Sequence, residues 1–147
     1  MASAETGLRS PEQTPFTTVV LAGGRSQRMG RDKAALVIGG KPLLARMVHR
    51  LRRATQHLLV IGPPTLAPLI PGEPLIGDDM PGLGPLGGLA TALRHIATPR
   101  AFVVACDMPF VVPELVVAMA RLAEQTPDAQ VVACLLYTSP SPRDRQK

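Results

Sequence analysis

The chain has 147 residues, a length suited to one domain of ordinary size. Apolar residues make up 46% and aromatics only 3%, with no Trp, so a core can form but it must be aliphatic. The net charge of +5 is mild, and the last 14 residues supply part of it; with so few rings to stack on bases, a nucleic-acid surface is disfavoured against a small anionic ligand at a focused site.

Residues 1–15 are polar with two prolines and predict a loose arm. Phe16 to Ala22 is short, apolar and β-branched and stops at Gly23-Gly24, which predicts a buried strand. Pro42 to Ala54 predicts a helix: Pro42 suits the first turn, and Leu43, Leu44, Met47, Val48 and Leu51 share a face. His57 to Ile61 predicts a second buried strand, closed by Gly62-Pro63-Pro64, and the proline-rich residues that follow predict a surface connection. Pro74 to Gly77 predicts a short extended piece. Pro85 to Ile96 predicts a helix with Leu86, Leu89, Leu93 and Ile96 inward. Ala101 to Cys106 predicts a third strand, ending at Asp107. Pro113 to Gln125 predicts a third helix with Leu115, Val116, Met119 and Leu122 inward, and Gln130 to Ala133 is expected to start a fourth strand.

Strands alternating with helices indicate a parallel sheet with helices on both faces, and continuously apolar strands fit burial on both sides. Ligands of such sheets sit at the carboxyl ends of the strands, where Gly23, Gly62 and Asp107 fall. The last stretch, Leu135 to Lys147, turns to Ser-Pro repeats and charge where another helix is due, and it resembles translated adaptor or vector sequence. The expected division is therefore an arm (1–15), an incomplete domain (16–133) and a non-native disordered tail (134–147).

The two cysteines, Cys106 and Cys134, form no CxxC pair, and His49, His57 and His95 are scattered, so neither a zinc site nor a disulfide framework is indicated. The first residues lack the basic start and apolar run of a signal peptide, and no segment could span a bilayer; the expected location is cytoplasmic.

The stretch LAGGRSQRMGRDK, residues 21–33, puts two glycines and four cations at the mouth of the first strand. Glycine lets a ligand approach the backbone, whose N–H groups can bind phosphate oxygens. Arg28 and Lys33 could neutralise a triphosphate, with Arg25 and Arg31 as weaker candidates. The stretch is not a Walker A loop: five residues separate Gly24 from Gly30, and Arg-Asp-Lys follows. Asp107 ends an otherwise apolar strand, and a carboxylate near a core is costly unless paired. A Mg²⁺ ion bridging to phosphates would resolve that cost; a helix-capping or loop Asp is the alternative. Gly82, Gly84 and Gly87 also match G-x-G-x-x-G, with Asp107 placed like a ribose-binding acid, but no strong strand runs into Gly82. A loop feeding a helix N-terminus at Pro85, its dipole facing an anion, fits these glycines better.

LAGGRSQRMGRDKA resembles the signature loop of the nucleotidyltransferases that attach a nucleotide to molybdopterin, in particular the molybdenum cofactor guanylyltransferases. GDDMPGLGPLGGLATAL resembles that family's Asp followed by Gly-Pro-Leu-x-Gly, and VVACDMPF its metal-binding strand end. The three motifs, in the family's order, cover residues 17 to about 133. The resemblance implies a Rossmann-like three-layer α/β nucleotidyltransferase domain with a mostly parallel sheet, its C-terminal part missing. It implies that Leu21, Ala22 and Gly23 line the guanine and phosphate pocket through their backbone, with Gly24 beside them. It further implies that Lys33 contacts the phosphates, Asp78 (or its neighbour Asp79) the nucleotide, and that Asp107 coordinates Mg²⁺. Gly62 and Pro63 stand where the family often carries an Asn against the base or ribose.

The implied reaction is transfer of GMP from GTP to molybdenum-bound molybdopterin with release of pyrophosphate, aided by Arg28, Lys33 and Asp107. Transient contact with proteins that deliver or accept the cofactor is implied as well. The residues alone support a nucleoside triphosphate bound with a metal. A transferase using CTP or a sugar phosphate, an NAD(P)-dependent oxidoreductase and a non-catalytic GTP-binding fragment remain open.

Overall fold

The computed structural model describes residues 16–23 and 33–133. The predicted arm and tail lie outside them. Six strands are described: β1 (Phe16–Leu21), β2 (Val37–Ile38), β3 (Lys41–Pro42), β4 (His57–Ile61), β5 (Leu75–Ile76) and β6 (Arg100–Ala105). The α-helices are α1 (Leu43–Leu51), α2 (Pro85–His95) and α3 (Pro113–Gln125), and two 3₁₀ segments cover Lys33–Ala35 and Pro64–Leu69. The main sheet is parallel, in the order β5-β4-β1-β6.

β1 is central because its sequence can be covered from both sides. Val19 packs with Leu59, Ile61 and Ala92 under α2, while Phe16 and Val20 pack with residues of α1 and α3 on the opposite face. Helices on both faces of a parallel sheet make a three-layer α/β domain, as the alternation of elements predicts.

From β1 the chain moves to β4 and β5 on one side, then returns past β1 to β6 on the other. The order reverses between β1 and β6. In such sheets a ligand crevice opens outside the carboxyl ends of the strands at that reversal.

α1 places Leu43, Leu44, Met47, Val48 and Leu51 inward, as predicted. Its last turn tightens: Arg53 donates to Arg50 and Ala54 to Leu51, so the α-helix stops at Leu51 rather than Ala54. The β2-β3 hairpin was not predicted. It turns on Gly39 and Gly40, at φ 57° and 77°, a pair of positive values that suits glycine. The proline-rich connection after β4 coils into the second 3₁₀ segment, where Leu66 is buried.

α2 corrects the expected inward leucines. Its buried residues are Gly87, Gly88, Thr91 and Ala92, while Leu86 is 71% and Leu93 55% exposed. Small side chains let the helix lie close on the sheet: a Cβ at Gly88 would sit 3.3 Å from Leu21 Cδ2. The leucines face sideways into a groove of about 920 Å³ along the outer edge of β6, shared with Leu89, Val103, Leu115 and Met119. Leu122 of α3, also expected inward, is exposed. The fourth strand expected from Gln130 is not formed within residues 130–133. A strand exists through its ladder, and β6 is an edge strand among the described residues. No described helix is long and apolar enough to cross a membrane.

Candidate functional site

Three main-chain hydrogen bonds join the carboxyl ends of the four parallel strands. Gly62 N–H donates to Ile76 at 2.9 Å, Ala22 N–H to Ile61 at 2.8 Å and Cys106 N–H to Leu21 at 3.0 Å. Each lies at or just past the end of its strand, so the strand ends share one level. Leu21, Ala22 and Gly23 therefore leave the sheet beside the Cys106–Asp107 turn.

Gly23 is exposed, and the nearest atom to a Cβ built there is Gly62 Cα, 3.6 Å away. The backbone at Gly23 is thus open to a ligand. Gly62 is closed instead: a Cβ there would meet Leu66 at 3.0 Å and Ala22 Cβ at 3.3 Å. The absence of Asn at this place has a steric counterpart, because an aliphatic neighbour occupies the space.

Lys33 is exposed at the start of the first 3₁₀ segment. Fully buried Ala34 anchors that segment in the core, and Leu36 N–H donates back to Lys33 at 3.2 Å. The backbone is held while the ammonium reaches solvent. Gly24, Arg25, Arg28, Arg31 and Asp32 lie outside the described residues.

Asp107 sits in an exposed turn in which Met108 N–H donates to Ala105 at 3.1 Å. The expected burial cost of its carboxylate is therefore absent. Of the alternative roles, helix capping fails, because the residue before α3 is Val112 and no side chain caps that helix, whereas the placement of Asp107 in a loop holds. Among the described residues no group of three or more His, Cys, Asp or Glu could hold a metal on its own. One exposed carboxylate fits Mg²⁺ only where substrate oxygens complete the shell, which is the usual way that ion is bound with nucleotides.

The two adjacent acids part company. Asp78 Oδ1 accepts from Met80 N–H at 2.8 Å and from Thr91 Oγ1 at 3.2 Å. Both its carboxylate oxygens lie beside Gly87, in the first turn of α2. Asp79 carries its Oδ2 to within 3.4 Å of His95 Nε2, at the other end of the helix. Of the pair, Asp78 is the one beside the N-terminus of α2. That N-terminus follows Gly84, at φ 60°, and has no side-chain cap; Pro85 brings no N–H and Gly87 N–H donates to the Gly84 carbonyl at 3.1 Å, so the open donor of the first turn is Leu86 N–H. The sequence offered no warning of Thr91, whose isolated hydroxyl in an apolar helix reads as an ordinary helix residue.

The dinucleotide fingerprint does not assemble. The strand before Gly82 is β5 and the strand before Asp107 is β6, and these lie at opposite edges of the sheet. Three strand spacings, about 14 Å, separate them, whereas the fingerprint needs neighbours.

The family model of the MobA-like NTP transferase domain matches residues 18–141. A Mycobacterium tuberculosis protein named "Probable molybdenum cofactor guanylyltransferase" is 43% identical over 129 residues, covering 84% of this chain and 63% of that protein. A Pelotomaculum thermopropionicum protein of the same name is 39% identical, covering 74% of this chain and 53% of its own length. The chain thus spans a little over half of these curated relatives. Among solved structures, a CMP:2-keto-3-deoxy-manno-octonic acid synthetase complexed with CTP aligns with a TM-score of 0.69 at 18% identity, covering 76% of this chain and 48% of that one. That likeness speaks for the fold. With the family model matched across most of its length, this chain belongs to the MobA-like NTP transferase domain family.

Proposed function

We propose that this chain carries the nucleotide site of a cytoplasmic enzyme that transfers GMP from GTP to molybdenum-bound molybdopterin. The observation that carries the reading is the Cys106–Leu21 hydrogen bond at the reversal point of the sheet, which sets the open Gly23 backbone beside the Asp107 turn. The names of the curated relatives support the choice of GTP and molybdopterin.

In this reading the backbone of Leu21, Ala22, Gly23 and Gly24 cradles the nucleotide, and Lys33 and Arg28 neutralise its phosphates. A terminal phosphate oxygen of molybdopterin attacks the α-phosphorus. The new P–O bond forms as the bond to the β-phosphate oxygen breaks, and pyrophosphate carries away the electron pair. The chain supplies position and charge rather than a nucleophile. Asp107 would hold Mg²⁺, which when bound supplies positive charge to the phosphates. Contacts with proteins that deliver or accept the cofactor belong to the same proposal.

The test is calorimetric titration with GTP, CTP, ATP and NADPH, each with and without Mg²⁺. GTP binding that needs Mg²⁺ and exceeds that of CTP and ATP is the expected result. Preference for CTP would move the chain to a cytidylyl-transferring enzyme. Tight NADPH binding without Mg²⁺ would overturn the reading.

A further inference from the structure

We infer that Thr91 is a positioning residue that fixes Asp78 and the loop before α2 for nucleotide binding; this rests on the nucleotide-site reading above. Thr91 is fully buried in the middle of α2. Its hydroxyl makes two bonds at once, accepting from Asp79 N–H at 3.0 Å and donating to Asp78 Oδ1 at 3.2 Å. Asp78 Oδ1 closes a further bond with Met80 N–H at 2.8 Å. One side-chain hydroxyl thereby ties Asp78 and Asp79 to the helix, and the Asp78 carboxylate in turn holds Met80.

The loop lies directly on α2. A Cβ at Gly87 would come within 2.5 Å of the Met80 carbonyl oxygen and 3.1 Å of Asp78 Oδ2. No side chain fills the space between loop and helix at that point, so hydrogen bonds must supply the register. Thr91 supplies two of them from the sheet side of the helix. Both act on the segment that leads into Gly82 and Gly84, whose positive φ values (100° and 60°) set the entry into α2. The carboxylate of Asp78 and the uncapped first turn of α2 are thus placed relative to each other through one hydroxyl. An isosteric side chain without it leaves the Asp79 amide without its acceptor and leaves Asp78 Oδ1 with Met80 N–H alone, a bond inside the loop that no longer ties the carboxylate to the helix.

The experiment compares Thr91→Val with Thr91→Ser in the full chain. Mg²⁺-GTP affinity is measured by calorimetry well below the unfolding midpoint, and amide hydrogen exchange is followed at Asp79 and Met80. Thr91→Val is expected to weaken GTP binding about tenfold, with exchange at Asp79 accelerating while Val19 and Val20 in β1 stay protected. Thr91→Ser should stay within about twofold of the parent, since it keeps the hydroxyl. Unchanged affinity in Thr91→Val overturns the inference, as does an equal loss in both variants. A parent chain that takes up no GTP would overturn the nucleotide reading and the positioning role built on it. The exchange data would then still decide whether the loop is locked through Thr91.

Discussion

Cys106 donates its main-chain N–H to the Leu21 carbonyl at 3.0 Å, joining the last turn of one strand to the exit of its neighbour. Because the two strands are paired through Leu21↔Ala105, the residues that follow them leave the sheet at a common level. Gly23 follows on one side and Asp107 on the other.

Lys33→Ala should weaken triphosphate binding by about tenfold to a hundredfold, the worth of one charge-assisted hydrogen bond lost. Its exposed position predicts little change in unfolding midpoint. Calorimetry with Mg²⁺-GTP beside a thermal melt would check both halves; a large drop in midpoint with affinity intact would contradict them.

Asp107→Asn should abolish the dependence of GTP binding on Mg²⁺ while leaving the fold as stable as before. The side chain is exposed and caps no helix, so its removal disturbs no packing. Titrations at several Mg²⁺ concentrations read the effect directly.

Gly87→Ala should destabilise the chain even though alanine is the better helix former by about 1 kcal/mol. The added methyl would press on the Met80 carbonyl at 2.5 Å. A net loss of up to about 2 kcal/mol is expected from urea unfolding, because strain of about 1–3 kcal/mol outweighs the propensity.

Two threonine-to-valine changes should have opposite signs. Thr18 is fully buried and its hydroxyl lacks a hydrogen-bond partner, so Thr18→Val should stabilise by about 1 kcal/mol. Thr55 is as deeply buried, but its hydroxyl lies 3.2 Å from the Phe16 carbonyl and 3.0 Å from that of His57, and it accepts from His57 N–H at 3.1 Å. Thr55→Val should cost about 1–3 kcal/mol. Parallel urea melts of the two variants make the comparison.

The strands were legible because burial on both faces demands continuous apolar runs, and FTTVVL, HLLVI and AFVVA contain few other readings. α1 was legible for a related reason: one apolar face meets one sheet. α2 was misread on its faces, since Leu86 and Leu93 outweigh Gly87 and Gly88 on any hydrophobic scale. Close approach to a sheet selects for small residues, and that is a steric demand which a hydrophobic pattern does not carry. The turn at Gly39-Gly40 had a visible signal in Ile-Gly-Gly-Lys, but strands of two residues are too short for alternation to register. Val131 and Val132 have the chemistry of a strand, yet pairing is a tertiary property. At the candidate site, Gly23 and Asp107 followed from strand ends. The separation of Asp78 from Asp79 did not, because it depends on Thr91, which lies more than ten residues away along the chain.

The joints across the strand ends are made of peptide groups, and this sets which substitutions the site floor can absorb. Ala22, Gly62 and Cys106 each give an N–H that any amino acid except proline could give. In a saturation library over these positions, proline should vanish from the folded pool at all three. Bulk should be rejected at 62, where Leu66 and Ala22 crowd the backbone.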